Sequence, residues 1–293
     1  MLNLKEMTCL LSRWALVLGL LVAPIVGCSD LSGDGGTGGT GGNGGTGGDA
    51  GNGGTGGTSG PELLQALVTY VANNPDGDDP PLEGVNACVE YGETQSCFLT
   101  NASGRAVVDF PADLAFTWTS EKEGYGSLIG GAGENAFGPA WRPSGALTLV
   151  MYTDAQLEAI AAEQLQLDPA YPWNGGIVGL VANTGTGLAG VTFAPVGSTI
   201  GAVGQAFYFD AGTEQYSIDL EATTSFPFVY DQFPFAEGGF TEVAPGVQQF
   251  EIGGMIGDCQ GPSFGWSGDT ANSIRVPVRE GFRTYGSMQC DPP

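Results

Sequence analysis

Histidine is absent from all 293 residues, and this removes more chemistry than any other feature of the chain. Without an imidazole there is no Ser-His-Asp triad, no Cys-His pair, no HExxH zinc helix and no histidine general base. Paired carboxylates of the glycosidase kind stay open. Glu121, Glu123, Glu134, Asp154 and Glu158 are the candidates, but their spacing selects no pair and they read as a solvated surface. The run Asn74-Pro75-Asp76-Gly77-Asp78-Asp79 sets oxygen ligands at alternating positions, which suggests calcium. As an EF-hand it fails, because Asp79 stands where glycine is needed and Val85 where the bidentate glutamate belongs. Asp76, Asp78 and Asp79 are therefore expected in an acidic turn before Pro80-Pro81, with Ca2+ the one ion that turn would take and no other cofactor.

Two further sets of residues carry chemistry or recognition. Cys88, Cys97, Cys259 and Cys290 are even in number, as disulfides require, and allow three connectivities. A zinc site made from the same four thiolates lacks any CxxC pair. The stretch Phe226-Pro227-Phe228-Val229-Tyr230-Asp231-Gln232-Phe233-Pro234-Phe235 is aromatic at alternate positions. Phe228, Tyr230 and Phe235 are candidates for contact with a sugar ring or protein partner; the same alternation also fills sandwich cores. Trp141, Trp173 and Trp266, each with Gly or Pro nearby, pose the same choice.

The formal net charge is −24. Such a surface repels phosphate backbones and anionic headgroups, so nucleic acid is excluded as an expected partner. Two of the eight basic residues lie in the N-terminal segment. Lys5 and Arg13 precede the apolar run Trp14–Val22, which has the layout of an export signal and is too short to span a bilayer. It ends in Ile25-Val26-Gly27-Cys28, which resembles the lipobox of bacterial lipoproteins. The resemblance implies cleavage after residue 27, thioether lipidation and N-acylation of Cys28, and membrane lipid as the partner held through that residue. Ser29 rather than Asp after the cysteine favours the outer over the inner membrane of the cell envelope. Residues 28–60 then form a linker, and Gly33–Gly60 is built of Gly-Gly-Thr and Gly-Gly-Asn units. Such a segment cannot bury enough surface to offset its ordering entropy and is expected to be disordered. Its 28 residues reach about 30 Å as a flexible coil, enough to lift a domain clear of the headgroups. The composition resembles that of leashes on myxobacterial surface lipoproteins.

The elements that position these residues repeat. Val71-Ala72-Asn73 and Leu82-Glu83-Gly84-Val85 are echoed by Val181-Ala182-Asn183 and Leu188-Ala189-Gly190-Val191; Gly104–Pro111 is echoed by Gly239–Gly246. A spacing of more than a hundred residues fits a duplicated domain and not a solenoid. Modules are placed at 61–152 and 174–293. Ala106, Val108 and Phe110 alternate, as do Leu147, Leu149 and Met151, which is the period of half-buried strands. Between the modules, residues 153–173 carry a helix over Thr153–Leu167. Thr153 and Gln156 make its capping box, Leu157, Ile160, Ala161 and Leu165 its apolar face, and Asp168-Pro169 its stop. The fold expected is all-β: two tandem β-sandwich modules, transthyretin- or Ig-like, with one short connecting helix. Spacing and the module boundary then favour Cys88–Cys97 and Cys259–Cys290 as the disulfides.

In the first module Pro81-Leu82-Glu83-Gly84-Val85, Thr100–Ala106, Phe110-Pro111 and Glu123-Gly124-Tyr125 resemble carboxypeptidase regulatory-like domains. The resemblance implies a transthyretin-like, or prealbumin-like, sandwich and no catalytic residue. In the second module only Leu188–Val191 and Gly239–Gly246 keep the pattern, and an aromatic insertion at about 198–236 departs from it. The function expected is a non-enzymatic envelope lipoprotein serving binding, adhesion or architecture. A glycan or an envelope protein is its candidate ligand, and calcium dependence is the alternative.

Overall fold

The computed structural model describes residues 61–75, 78–133, 147–169, 171–184, 188–210, 212–213, 215–224 and 235–293. Alternation becomes strand wherever turns bracket it. The first module contains β1 (Leu63–Ala72), β2 (Asn86–Tyr91), β3 (Thr94–Leu99), β4 (Arg105–Pro111), β5 (Phe116–Lys122), β6 (Tyr125–Ala132) and β7 (Leu147–Met151). In β4 the alternation is literal: Ala106, Val108 and Phe110 are buried while Arg105 and Val107 face solvent. A sheet of order β4-β1-β7 packs on one of order β6-β5-β2-β3. Val68, Tyr70, Leu128, Leu149 and Met151 fill the space between them. Part of that interior is a cavity of about 50 Å³ lined by Ala66, Ala87, Val108, Phe116 and Trp118 among others.

The second module contains β8 (Gly176–Asn183), β9 (Val191–Pro195), β10 (Ala206–Asp210), β11 (Gln215–Ser217), β12 (Phe235–Val243), β13 (Gly246–Gly254), β14 (Cys259–Phe264), β15 (Trp266–Ser267), β16 (Ser273–Val278) and β17 (Arg283–Cys290). Its inner faces meet around Leu180, Val191, Phe250, Ile252 and Ile274. The architecture is thus β-sandwich throughout, with the insertion supplying β10 and β11 beyond β12.

The strands that carry the echoed segments occupy matching places, with the second echo one residue out of register: Ala106 pairs with Val68 as Phe240 pairs with Val178. β1 pairs antiparallel with β4 and parallel with β7; β8 pairs antiparallel with β12 and parallel with β17. On the facing sheets β5 lies between β2 and β6, as β13 lies between β9 and β16. The likeness extends to single hydrogen bonds. Thr100 Oγ1 donates to Leu82 O (2.6 Å) and accepts from Val85 N–H (2.9 Å). Thr223 Oγ1 donates to Leu188 O (2.8 Å) and accepts from Val191 N–H (3.1 Å). In both copies the threonine backbone also pairs across the same turn, with Gly84 and Val85 or with Gly190 and Val191. Gly84 (φ +73°) and Gly190 (φ +80°) hold a left-handed backbone there, which a side chain would strain. One threonine therefore clamps each Leu-x-Gly-Val turn.

The sandwiches are not separate sheets. β17 pairs on one edge with β8 and on the other, at Arg283–Tyr285, runs parallel to β6 at Leu128–Gly130. The remainder of that edge is taken by β14. Ten strands so form one sheet across both modules. The helix α1 (Asp154–Glu163) has its capping box at Thr153 and Gln156 and buries Leu157 and Ala161. It stops four residues before the expected Leu167. Gln166 turns left-handed (φ +53°) and Leu167 N–H returns to Ala161 O (2.9 Å), which tucks Leu165 under the helix end, buried.

Thr100→Val and Thr223→Val keep the shape of the clamp but strand a buried carbonyl and N–H. Each substitution should cost about 1–3 kcal/mol, read as a lower denaturant midpoint, whereas Thr100→Ser should cost less.

Candidate functional site: a sealed arginine–glutamate–tyrosine cluster

The outer face of the shared sheet, where the helix lies on it, carries the unusual chemistry. Strand alternation sends Val178, Leu180 and Ala182 of β8 into the second core and leaves Ile177 on the opposite face, under Leu157, Ala161 and Leu165. By the same alternation β12 turns Ala236 and Phe240 to the core and Glu237 to the helix side. β17 turns Thr284 and Met288 one way and Arg283 and Tyr285 the other. Two charged groups thereby enter a lipophilic layer: Glu237 is 7% and Arg283 2% exposed.

Among the described residues Arg283 Nε, Nη1 and Nη2 have no hydrogen-bond partner. Aromatic faces stand in their place: the guanidinium carbon lies 4.6 Å from the Tyr152 ring centre and 5.7 Å from that of Tyr285. A desolvated cation–π contact contributes about 2 kcal/mol, against several kcal/mol for burying the charge. Glu237 is held differently, 2.6 Å from the Tyr216 hydroxyl. Burial pushes its carboxyl up to about 8, while the Tyr216 hydrogen bond and the Arg283 charge pull it down. Burial therefore favours the neutral carboxyl over the carboxylate at neutral pH. Burial likewise raises the Tyr216 and Tyr285 hydroxyls, with Glu237 adding to both. At the rim Tyr171 is pushed up to about 12 by burial and by its hydrogen bond to Asp154, and its ring meets Trp173 edge-on at 4.9 Å. The helix closes the lid, with Gln164 Oε1 accepting from Tyr216 N–H (2.9 Å). Such an enclosed set can titrate and lock two modules together.

Glycine makes the seam possible. A Cβ on Gly130 would strike the Trp118 indole, one on Gly131 would come within 2.9 Å of Trp266, and one on Gly179 within 3.1 Å of Tyr285. Trp266 also donates from Nε1 to Ala132 O (2.9 Å), and Gly265 N–H to Gly131 O (2.6 Å). Both contacts cross from one module to the other. Tyr285 and Phe264 of the second module belong to the core of the first.

The residues singled out in the sequence lie elsewhere. Cys88–Cys97 and Cys259–Cys290 are disulfides, each joining residues directly opposite on paired strands. Asp79 Oδ1 caps Asn74 N–H (2.8 Å), and Asn74 Nδ2 donates to Asp78 O (3.1 Å), so this acidic turn closes on itself. Asp76 lies outside the described residues. Among the described residues no three metal-ligating side chains gather. Cys28, Glu134, Trp141, Phe228 and Tyr230 also lie outside them; Phe235 opens β12. Glu121, Glu123 and Glu158 are exposed, as a solvated surface requires. Trp173 is buried, and Trp266 is half-buried at the seam. Sequence reasoning passed over Glu237 and Arg283. Each lies on the strand phase opposite its core-facing neighbours, Ala236 and Phe240 for Glu237 and Met288 for Arg283, where a charge ordinarily faces solvent.

No family model matches the chain, and no curated protein is significantly similar to it. Among solved structures it is similar to the Bacillus anthracis TIE protein at 8% identity and a TM-score of 0.23, over 78% of this chain and 34% of that one. The chain thus spans about a third of that protein's length. It is also similar to the shaft pilin SpaA of Lactobacillus rhamnosus GG (11% identity, TM-score 0.22, 79% and 98% covered). GBS52, the minor pilin of Streptococcus agalactiae, is a third (12%, 0.20, 78% and 96%). Overlaps of this size carry no functional argument.

The cluster predicts a pH dependence. Glu237 titrates near 8 when folded and near its ordinary 4.5 when unfolded, so the folded state holds the extra proton. Its contribution to stability is then full below about 4.5 and is lost as pH rises through about 8. Between those two values the loss is at most about 1.4 kcal/mol for each step of one in pH. Glu237→Gln should flatten this profile in thermal melts. Arg283→Met should extend the fall to higher pH and deepen it, because the cation that favours the carboxylate is gone.

Proposed function

We propose that the chain is a lipid-anchored protein of the cell envelope whose two β-sandwich modules act together as a non-catalytic binding or architectural body at the end of a glycine-rich leash. The observation that carries this reading is the strand pairing of β6 with β17. It makes the modules one body with a shared core, a unit built to hold its shape at a distance from its point of attachment. The titratable groups at the joint, Glu237, Tyr216 and Tyr285, are all buried there, which supports a structural role for the joint. Two cross-strand disulfides suit an oxidising compartment outside the cytoplasm. Among the described residues no helix is long and apolar enough to cross a membrane; attachment is assigned to Cys28 on the lipobox resemblance of Ile25-Val26-Gly27-Cys28.

On this reading the signal is residues 1–27, acylation at Cys28 is the tether, and residues 29–60 set the distance. The carboxypeptidase regulatory-like resemblance of the first module fits the same role, since it implies recognition or support and no active site. The carried ligand class is an envelope glycan or protein.

Metabolic labelling with a palmitate analogue should mark the wild-type protein and leave Cys28→Ala unlabelled. Cys28→Ala should also move the protein from the membrane to the soluble extracytoplasmic fraction. Retention of the variant in membranes would refute the anchor.

A further inference from the structure

Sheet edges invite other strands unless they are short, charged, kinked or covered. Most edges here are guarded. β11 and β15 have three and two residues, β9 ends in Pro195, and β4 carries Arg105, Asp109 and Pro111. β14 shifts register at Pro262, and β7 is five residues long and leads directly into the helix. Among the described residues β3 has none of these defences. Thr94-Gln95-Ser96-Cys97-Phe98-Leu99 holds no charge and no proline, pairs with β2 over six residues without a shift, and is pinned to it by Cys88–Cys97.

The register says which groups are free. A Cα–Cα distance of 4.0 Å at Cys88–Cys97 marks a non-hydrogen-bonded pair. Alternation then turns the N–H and C=O of Gln95, Cys97 and Leu99 away from β2, toward the open side. Leu99 is 69% exposed. These six backbone groups are symmetric about Cys97. We propose that two copies of the chain pair β3 with β3, antiparallel about a two-fold axis at Cys97, so that Gln95 of each copy faces Leu99 of the other.

Charge favours this occupant and this direction. Glu93 stands just before β3 and Arg105 just after it, where Asn101 N–H donates to Arg105 O (3.0 Å) and Arg105 N–H to Asn101 Oδ1 (3.1 Å). Arg105 is exposed and makes no ion pair among the described residues. Antiparallel pairing brings Glu93 of each copy to the Asn101–Arg105 turn of the other; parallel pairing would set Glu93 against Glu93. In a chain of net charge −24, an uncharged strand flanked by one acid and one base is where two copies can approach. Two six-residue strands cover less than the ~1,200 Å² of a stable interface, so the dimer is weak and depends on concentration.

The test is sedimentation equilibrium and light scattering on the full mature chain with Cys28→Ser, which removes the proposed acyl acceptor and separates this inference from the anchor. The expected result is a monomer–dimer equilibrium in the micromolar range. Leu99→Glu should abolish it, Arg105→Glu should weaken it roughly tenfold or more, and adding Glu93→Arg to Arg105→Glu should restore it. Unchanged melting curves for these surface variants separate lost pairing from lost folding. A wild-type chain monomeric at several hundred micromolar would overturn the proposal. So would a dimer indifferent to Leu99→Glu, or a different protein recovered on the edge and released by that substitution.

Discussion

The seam between β6 and β17 is the constraint on which the rest of the molecule depends, and it exists only because certain positions have no side chain. Gly130 lies under Trp118 on one face of β6 and Gly131 under Trp266 on the other. A methyl group at either would push an indole off the strand and the strand off its neighbour. Across the seam the ring of Tyr285 lies against Gly179 while its backbone pairs with Gly130. Strand pairing brings backbones to within about 5 Å, so large rings fit over such a junction only where glycine gives them room. The same glycines would weaken isolated strands by roughly 0.5–1 kcal/mol each. Here that loss is offset by aromatic burial that reaches across both modules.

Closing the seam has an electrostatic consequence. β17 alternates, so anchoring Tyr285 against the first core obliges Arg283, two residues earlier, to enter the same layer. Among the described residues no carboxylate bonds to it. Glu237 shares the layer, yet burial keeps it largely protonated and bonded to Tyr216. The arrangement is a cation between tyrosine faces, not a buried ion pair. Replacing even ion-paired buried charges by apolar groups often stabilises proteins, so stability alone does not account for Arg283. It does bind Tyr152, at the end of β7, to Tyr285, and so fixes the angle of one module on the other.

Local features were legible in the sequence, and long-range ones were not. Thr153 and Gln156 announce their capping box by spacing alone, and the helix starts there. Ala106, Val108 and Phe110 fix the phase of β4. The pairing of Cys88 with Cys97 follows from their nearness in the chain. The echoed Leu-x-Gly-Val turns were visible too, and they take matching places, but the threonines that clamp them were not seen. Thr100 follows Val85 by 15 residues and Thr223 follows Val191 by 32, so no fixed spacing exposes the match. The helix end failed for a different reason. Leu165 obeys the helical period, but it is buried better by a left-handed turn at Gln166 than by another helical turn. Arg283 and Glu237 were missed because an isolated charge on a strand ordinarily faces water. Only the sheet order shows that both faces of β12 and β17 are covered.

Matching the two modules strand for strand also explains why they join as they do. β17 corresponds to β7, and each is the strand that pairs in parallel with the first strand of its module. β7 has five residues and passes at once into Thr153 and the helix, so its outer side cannot continue as sheet. β17 has eight residues, and its outer edge is divided between β6 at Arg283–Tyr285 and β14 from Ser287 to Cys290. The Cys259–Cys290 disulfide holds β14 at the far half, which leaves the near half free for β6. Length and covalent pinning at one end of β17 thus select where the first module docks, and the helix that follows β7 is placed where it must be to cover the charges that docking buries.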